Sequence, residues 1–150
     1  MPGVVTKEDE ILTKDYKQVL ESKGYEIIFY YRDIYPSYGQ FNRVKEDIQR
    51  SVGMVAFGLK QINIEKAIYR PGTTESEIWE NKWLSTPWSE IEIGMGLMKG
   101  LPILLVCDPN INSGAFDKCL SECFVSYIST QTDSKTIEQN KQFDNWLSKL

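Results

Sequence analysis

Thr86-Pro-Trp-Ser-Glu-Ile-Glu-Ile-Gly-Met-Gly-Leu-Met-Lys-Gly-Leu-Pro-Ile-Leu-Leu-Val-Cys-Asp108 divides into two halves of different character. In the first half Thr86 is placed to cap a helix and Pro87 to occupy its first position, where a missing N–H is harmless. Ile91, Met95 and Met98 then recur at helical spacing to about Lys99. The second half, Gly100 to Asp108, is an unbroken apolar strand. Such a run has no solvent face, so it needs cover on both sides, as in the middle of a parallel sheet.

Working outward toward the N-terminus, Val52-Gly-Met-Val-Ala-Phe-Gly58 reads as a second buried strand. Phe41, Val44 and Ile48 mark a helix ending near Ser51. Between Leu59 and Leu84 the pattern is weak, with a turn at Arg70-Pro-Gly-Thr73 and a short helix expected from Glu75 to Trp83. Arg32 to Gly39 reads as a loop, and Tyr25-Glu-Ile-Ile-Phe-Tyr-Tyr31 as a strand rich in β-branched and aromatic residues. Before it, Thr6-Lys-Glu-Asp9 opens a helix carrying Ile11, Leu12, Tyr16, Val19 and Leu20 that Gly24 stops. Toward the C-terminus a loop at Pro109 to Gly114 is expected, followed by a short helix at Phe116 to Cys123 and a strand at Phe124 to Ser129. A last helix carries Phe143, Trp146, Leu147 and Leu150.

Helix and strand alternate, which predicts an α/β fold: an open doubly wound, flavodoxin-like parallel sheet with helices on both faces. Only Gly3-Val-Val5 precedes the first helix, so the opening strand is short or missing. An uncovered sheet edge then suggests a homo-oligomer, a dimer or larger. The 150 residues are expected to form a single domain, residues 1–150, of a size that buries a core unaided.

Hydrophobic residues make up 41% and charged residues 25%, ordinary for a globular chain. The longest apolar run, Leu101 to Cys107, is too short to cross a bilayer, so no membrane association is expected. The N-terminus lacks the basic-then-apolar pattern of a secretory signal, so a cytoplasmic location is expected. A net charge of −4, with 21 acidic and 17 basic residues intermixed, argues against duplex nucleic acid as a partner. Histidine is absent. Ser-His-Asp triads, Cys-His pairs and His-ligated metals are thereby excluded, and acid–base work falls to carboxylate, tyrosine or lysine. Cys119 and Cys123 share a face of the expected short helix and read as packing residues. No cofactor and no metal site are expected.

Ligands of an open parallel sheet bind beyond the carboxyl ends of its strands, which directs attention to Tyr31-Arg-Asp33, Phe57-Gly58, Asp108 and the helix start at Thr86. Glu92 follows about one and a half turns into that helix, four residues after Trp88 and among Ile91, Ile93 and Met95. A carboxylate in this company is either desolvated and functional or turned to solvent. Glu90 suits a plain surface acid. Gly94 and Gly96 each cost a helix interior roughly 0.8 to 1 kcal/mol, and close approach of a sheet or of a flat ligand would offset that. Tyr30, Tyr31, Trp83 and Trp88 offer rings for stacking, though alternation frees at most one of the two tyrosines. Arg32 and Arg70 suit a phosphate, with surface ion pairing as the plainer reading of both.

Trp88-x-x-x-Glu92, continued as Glu92-x-Gly94-x-Gly96-x-x-x-Gly100-x-Pro102 and an apolar strand, resembles the catalytic segment shared by nucleoside 2-deoxyribosyltransferases and TIR domains. The likeness is strongest over residues 85–108 and extends loosely to Asp47-Ile-Gln-Arg-Ser-Val-Gly-Met-Val-Ala-Phe57. The tryptophan spacing is more like TIR domains; the Gly-x-Pro close is more like the transferases. The resemblance implies an enzyme acting on the N-glycosidic bond of a nucleoside, nucleotide or NAD-like molecule, with Glu92 working at the anomeric carbon. A fixed carboxylate stabilises or bonds to the positive sugar carbon that forms, with no metal or histidine needed. The transferases usually carry an aspartate after the second of these strands, where this chain has Gly58-Leu-Lys60. Asp33 is the alternative acid. A TIR-like NAD hydrolase, or a non-catalytic nucleotide-binding or signalling module, are the other readings.

Overall fold

A computed structural model describes residues 5–29, 40–111, 113–117, 122–129 and 132–150. Its centre is the apolar run anticipated above. Strand β4 (Ile103–Cys107) is buried at all five positions. It lies between β1 (Met54–Gly58) and β5 (Phe124–Tyr127), and both neighbours run parallel to it. Met54 faces Ile103 at one end of the β1–β4 ladder and Gly58 faces Cys107 at the other. Leu104 to Cys107 pair with Phe124 to Tyr127.

Because successive strand residues point to opposite faces, β4 feeds two cores. Leu104 and Val106 join Phe57 against Leu12, Tyr16, Val19 and Leu20 of helix α1 (Lys7–Ser22), with Ile137 of α4 (Ser134–Glu138) and Phe143 and Trp146 of α5 (Lys141–Leu147). Ile103, Leu105 and Cys107 face the other way. They pack against Val44 and Ile48 of α2 (Gln40–Arg50) and Ile93 of α3 (Pro87–Lys99). The chain is thus an α/β fold with a parallel sheet between two helical layers. The helix ends follow local chemistry. Thr6 and Asp9 close a capping box on α1, and Gly24 takes the left-handed conformation beyond it at φ 89°. The indole of Trp146 donates to the carbonyl of Pro102 at 2.9 Å, tying α5 to the start of β4.

Three expectations are corrected. Residues 59–84 hold no helix: β2 (Ile62–Tyr69) and β3 (Glu77–Leu84) form an antiparallel hairpin in a separate two-stranded sheet. Cross-strand pairing overrides the helix-compatible spacing of Trp79 and Trp83. The turn at its tip is present, with Arg70 and Gly72 at φ 51° and 78°. Residues 25–29 carry no strand ladder, although Tyr25 and Ile27 pack on the α1-side core; Tyr30 and Tyr31 lie outside the described residues. The helix expected at 116–123 is a single 3-10 turn, Gly114–Phe116, and Asp117 is already extended; residues 118–121, with Cys119, lie outside the described set. The expected last helix is present as α5, which carries Phe143, Trp146 and Leu147 and ends before Leu150; the short α4 ahead of it was not anticipated, and Asn140 caps α5 through its side chain.

Candidate active site

Helix α3 begins as its residue types dictate. Thr86 accepts the backbone N–H of Ser89 at 3.3 Å, Pro87 fills the first turn, and Gly100 closes the far end at φ 77°. The chain turns directly from Lys99 into β4, so the start of α3 lies toward the carboxyl ends of the strands. Glu90 accordingly meets Gly114, which follows β4.

Glu92 sits on the inward face of this helix and is 7% exposed. Its Oε1 accepts the indole N–H of Trp88 at 2.7 Å, a charge-assisted bond that fixes the carboxylate. Trp88 is itself held by the Phe41 ring, 4.9 Å away between centroids. Glu92 and the buried Ser89 line a cavity of about 690 Å³ that runs along β1 and is bounded by α2 and residues 24–29. Such a volume suits a small molecule of nucleotide size. Asp47 lines the same cavity with its side chain only 3% exposed, between the guanidinium groups of Arg43 and Arg50. Lys99 secures the wall that carries Asp47: its ammonium donates to the carbonyls of Ile48, Gln49 and Ser51 at 2.6 to 2.8 Å, at the carboxyl end of α2.

Of the residues singled out from sequence, Glu92 and Phe57 line this cavity, and Trp88 reaches it through its bond to Glu92. Phe57 turns its ring toward α1, edge-on to Tyr16 at 5.5 Å. Gly58 is buried: a Cβ there would lie 2.7 Å from the Phe116 ring and 2.8 Å from Cys107 Cβ. Gly96 presses α3 onto the sheet against Met54 and Ile103, whereas Gly94 is exposed with no atom within 4 Å of a Cβ. Thr86 acts as the helix cap. Arg70 is at the hairpin tip, where it pairs with Glu75 and lies over the Tyr69 ring. Tyr31, Arg32 and Asp33 lie outside the described residues.

Asp108 forms a second cluster where β4 ends. Its carboxylate accepts from Lys60 Nζ at 3.0 Å and from the backbone and side-chain N–H groups of Asn110, both at 2.8 Å. Burial pushes this carboxyl up, but the Asn110 and Lys60 donors outweigh it and hold it below the usual aspartate range. Lys60 also lies over the Trp83 ring at 5.9 Å. Glu90 is not the plain surface acid expected. Burial raises its pKa, and its carboxylate lies against the Cα of Gly114 so closely that a Cβ there would be 2.1 Å from Oε1. Sequence reasoning also passed over Asp47. The signals were its place at the start of the loosely resembling stretch Asp47 to Phe57 and on the inner face of α2, four residues after Arg43 and one before Ile48. Among the described residues, no group of three or more Cys, Asp or Glu side chains is arranged to hold a metal, and no helix is long and apolar enough to cross a membrane.

Fold and site together define a class: a doubly wound α/β protein with a buried glutamate set by an indole beside a cavity. Among solved structures, the chain is similar to the CMP N-glycosidase BcmB of Clostridium botulinum, with a TM-score of 0.55 and 17% sequence identity over 89% of this chain and 88% of that one. The two share a fold across nearly their whole lengths. No protein-family model and no curated protein matches the sequence.

Proposed function

We propose that the protein acts on the N-glycosidic bond of a nucleoside, nucleotide or NAD-like molecule, with Glu92 at the anomeric carbon. The observation that carries this reading is the Glu92 carboxylate itself, buried, oriented by Trp88 and lining the cavity along β1. As the bond to the base breaks, its electron pair leaves with the base and the sugar carbon becomes positive. A carboxylate held below that carbon stabilises the charge or bonds to it, and water or a second acceptor then takes the sugar. A site that excludes water strengthens this attraction, because little solvent screens it. The fold shared with a protein named as a CMP N-glycosidase supports the same reaction class.

Asp33 remains the proposed acid for the departing base, with Tyr31, Arg32 and Trp88 as proposed contacts to substrate. Incubation with CMP, other nucleoside monophosphates, deoxynucleosides and NAD, followed by chromatography for free base, tests the proposal and separates a transferase or nucleotide hydrolase from a TIR-like NAD hydrolase. Glu92→Gln is expected to lower base release by about 10²-fold or more while the fold is retained. Undiminished release from that variant would remove Glu92 from the mechanism.

One observation favours a binding module instead. Lys60 stands after β1 and is paired with Asp108, where the related transferases carry an acid. Calorimetry showing nucleotide binding with the ligand recovered intact would support that reading.

A further inference from the structure

β1 is an edge strand of its sheet, and its outer side faces the cavity rather than another strand among the described residues. The ladder to β4 uses alternate residues. Met54 donates to Pro102, Gly58 accepts from Asp108, and Ala56 falls between them in the same register. The N–H and C=O groups of Val55 and Phe57 therefore point the other way, into the cavity, although Phe57 is only 6% exposed. Among the described residues they meet no backbone partner. Buried backbone groups are almost always paired, so two such pairs in succession along one wall mark the place of a strand. Across the cavity, residues 26–28 also lack backbone partners among the described residues, while Tyr25 and Ile27 pack on the α1-side core. The fold gives the same place independently. A flavodoxin-like sheet runs in the order 2-1-3-4-5. With residues 25–29, β1, β4 and β5 in the second to fifth places, the first place falls between residues 25–29 and β1, where the cavity lies.

We propose that this slot takes an extended peptide strand from outside residues 1–150. The strand runs parallel to β1 and hydrogen-bonds to Val55 and Phe57 on one edge and to residues 26–28 on the other. Its side chains alternate between Tyr16 and Leu20 of α1 and Ile48 of α2, so it is apolar on both faces. Residues 1–5 do not suit the place, since Pro2 has no N–H to donate and Gly3 has no side chain to pack. Three residues of strand opposite Val55 to Phe57 occupy roughly 10 Å by 5 Å by 10 Å, about 500 Å³. That is less than the cavity of about 690 Å³, so the end at Ser89 and Glu92 stays open. The inference holds whichever reaction Glu92 serves.

Fluorescence anisotropy of a labelled peptide, with alternating valines and isoleucines between two terminal lysines, tests the proposal against the full chain. Saturable binding at micromolar concentration is expected, and the Val55 and Phe57 amides exchange about ten-fold more slowly, or slower still, in the complex. The same peptide with proline at its centre lacks a donor and is expected to bind about ten-fold more weakly or worse. Val55→Pro removes a slot-facing N–H without touching a bond to β4 and is expected to weaken the parent peptide similarly, with circular dichroism checking its fold. A parent peptide that does not bind at millimolar concentration, a proline peptide that binds equally, or protection that leaves out Val55 and Phe57 would each overturn the proposal. So would Val55 and Phe57 amides already protected in the free chain and released by deleting residues 1–4, because the chain's own N-terminus would then be the occupant.

Discussion

Gly94 and Gly96 stand two residues apart in α3, yet alanine is expected to act oppositely at them. At Gly94 a Cβ meets no atom within 4 Å. The substitution therefore contributes only the helix propensity that glycine lacks, about 0.8 to 1 kcal/mol. At roughly 2 to 4 °C per kcal/mol for a chain of this size, Tm rises by about 2 to 4 °C. At Gly96 the same gain meets Met54 Cε at 3.0 Å and Ile103 Cδ1 at 3.1 Å. The end of Met54 can swing aside, but Ile103 has 0% exposure and nowhere to go. Overpacking of this kind costs on the order of 1 to 3 kcal/mol, enough to cancel or reverse the gain. Differential scanning calorimetry of the two variants beside the wild type reads the difference. The reasoning fails if Gly94→Ala leaves Tm unchanged or lower, or if Gly96→Ala raises it equally.

Two further outcomes follow from the electrostatics. Burial raises the pKa of Glu90, so the folded chain holds this proton more tightly than the unfolded chain does. The stability linked to it is complete below the ordinary glutamate range and is lost as pH rises through the raised value. Glu90→Gln should therefore be more stable than the wild type at neutral pH and lose that advantage by about pH 4, as urea midpoints at the two conditions would show. A constant difference at both would contradict the assignment. Lys99→Met removes three donations to the carboxyl end of α2 and is expected to destabilise by about 1 to 2 kcal/mol, read from denaturant midpoints. A midpoint within error of the wild type would mean that water replaces the ammonium without loss.

The segment from Thr86 to Asp108 was legible because each boundary has a local cause: a hydroxyl cap, a proline that needs no donor, a left-handed glycine and an apolar run without a solvent face. The hairpin was not, because neither strand has a consistently buried face to set a two-residue rhythm. Its order comes from partners across the ladder, such as Lys66 with Glu80, which spacing along one strand does not reveal. The burial of Glu92 was one of two readings open from its neighbours, and the fold selects it. Asp47 and Glu90 looked like ordinary helix acids because what buries them is distant in sequence: the fold around the β1 cavity for one and Gly114 for the other.

The alternation along β4 has a mechanical consequence. Leu104 and Val106 belong to one core and Ile103, Leu105 and Cys107 to the other, so a single backbone serves as the wall between them. Any shift of that strand to relieve crowding on one side creates it on the other. Neither helical layer can loosen while its opposite number stays tight, and heat or denaturant should melt both together.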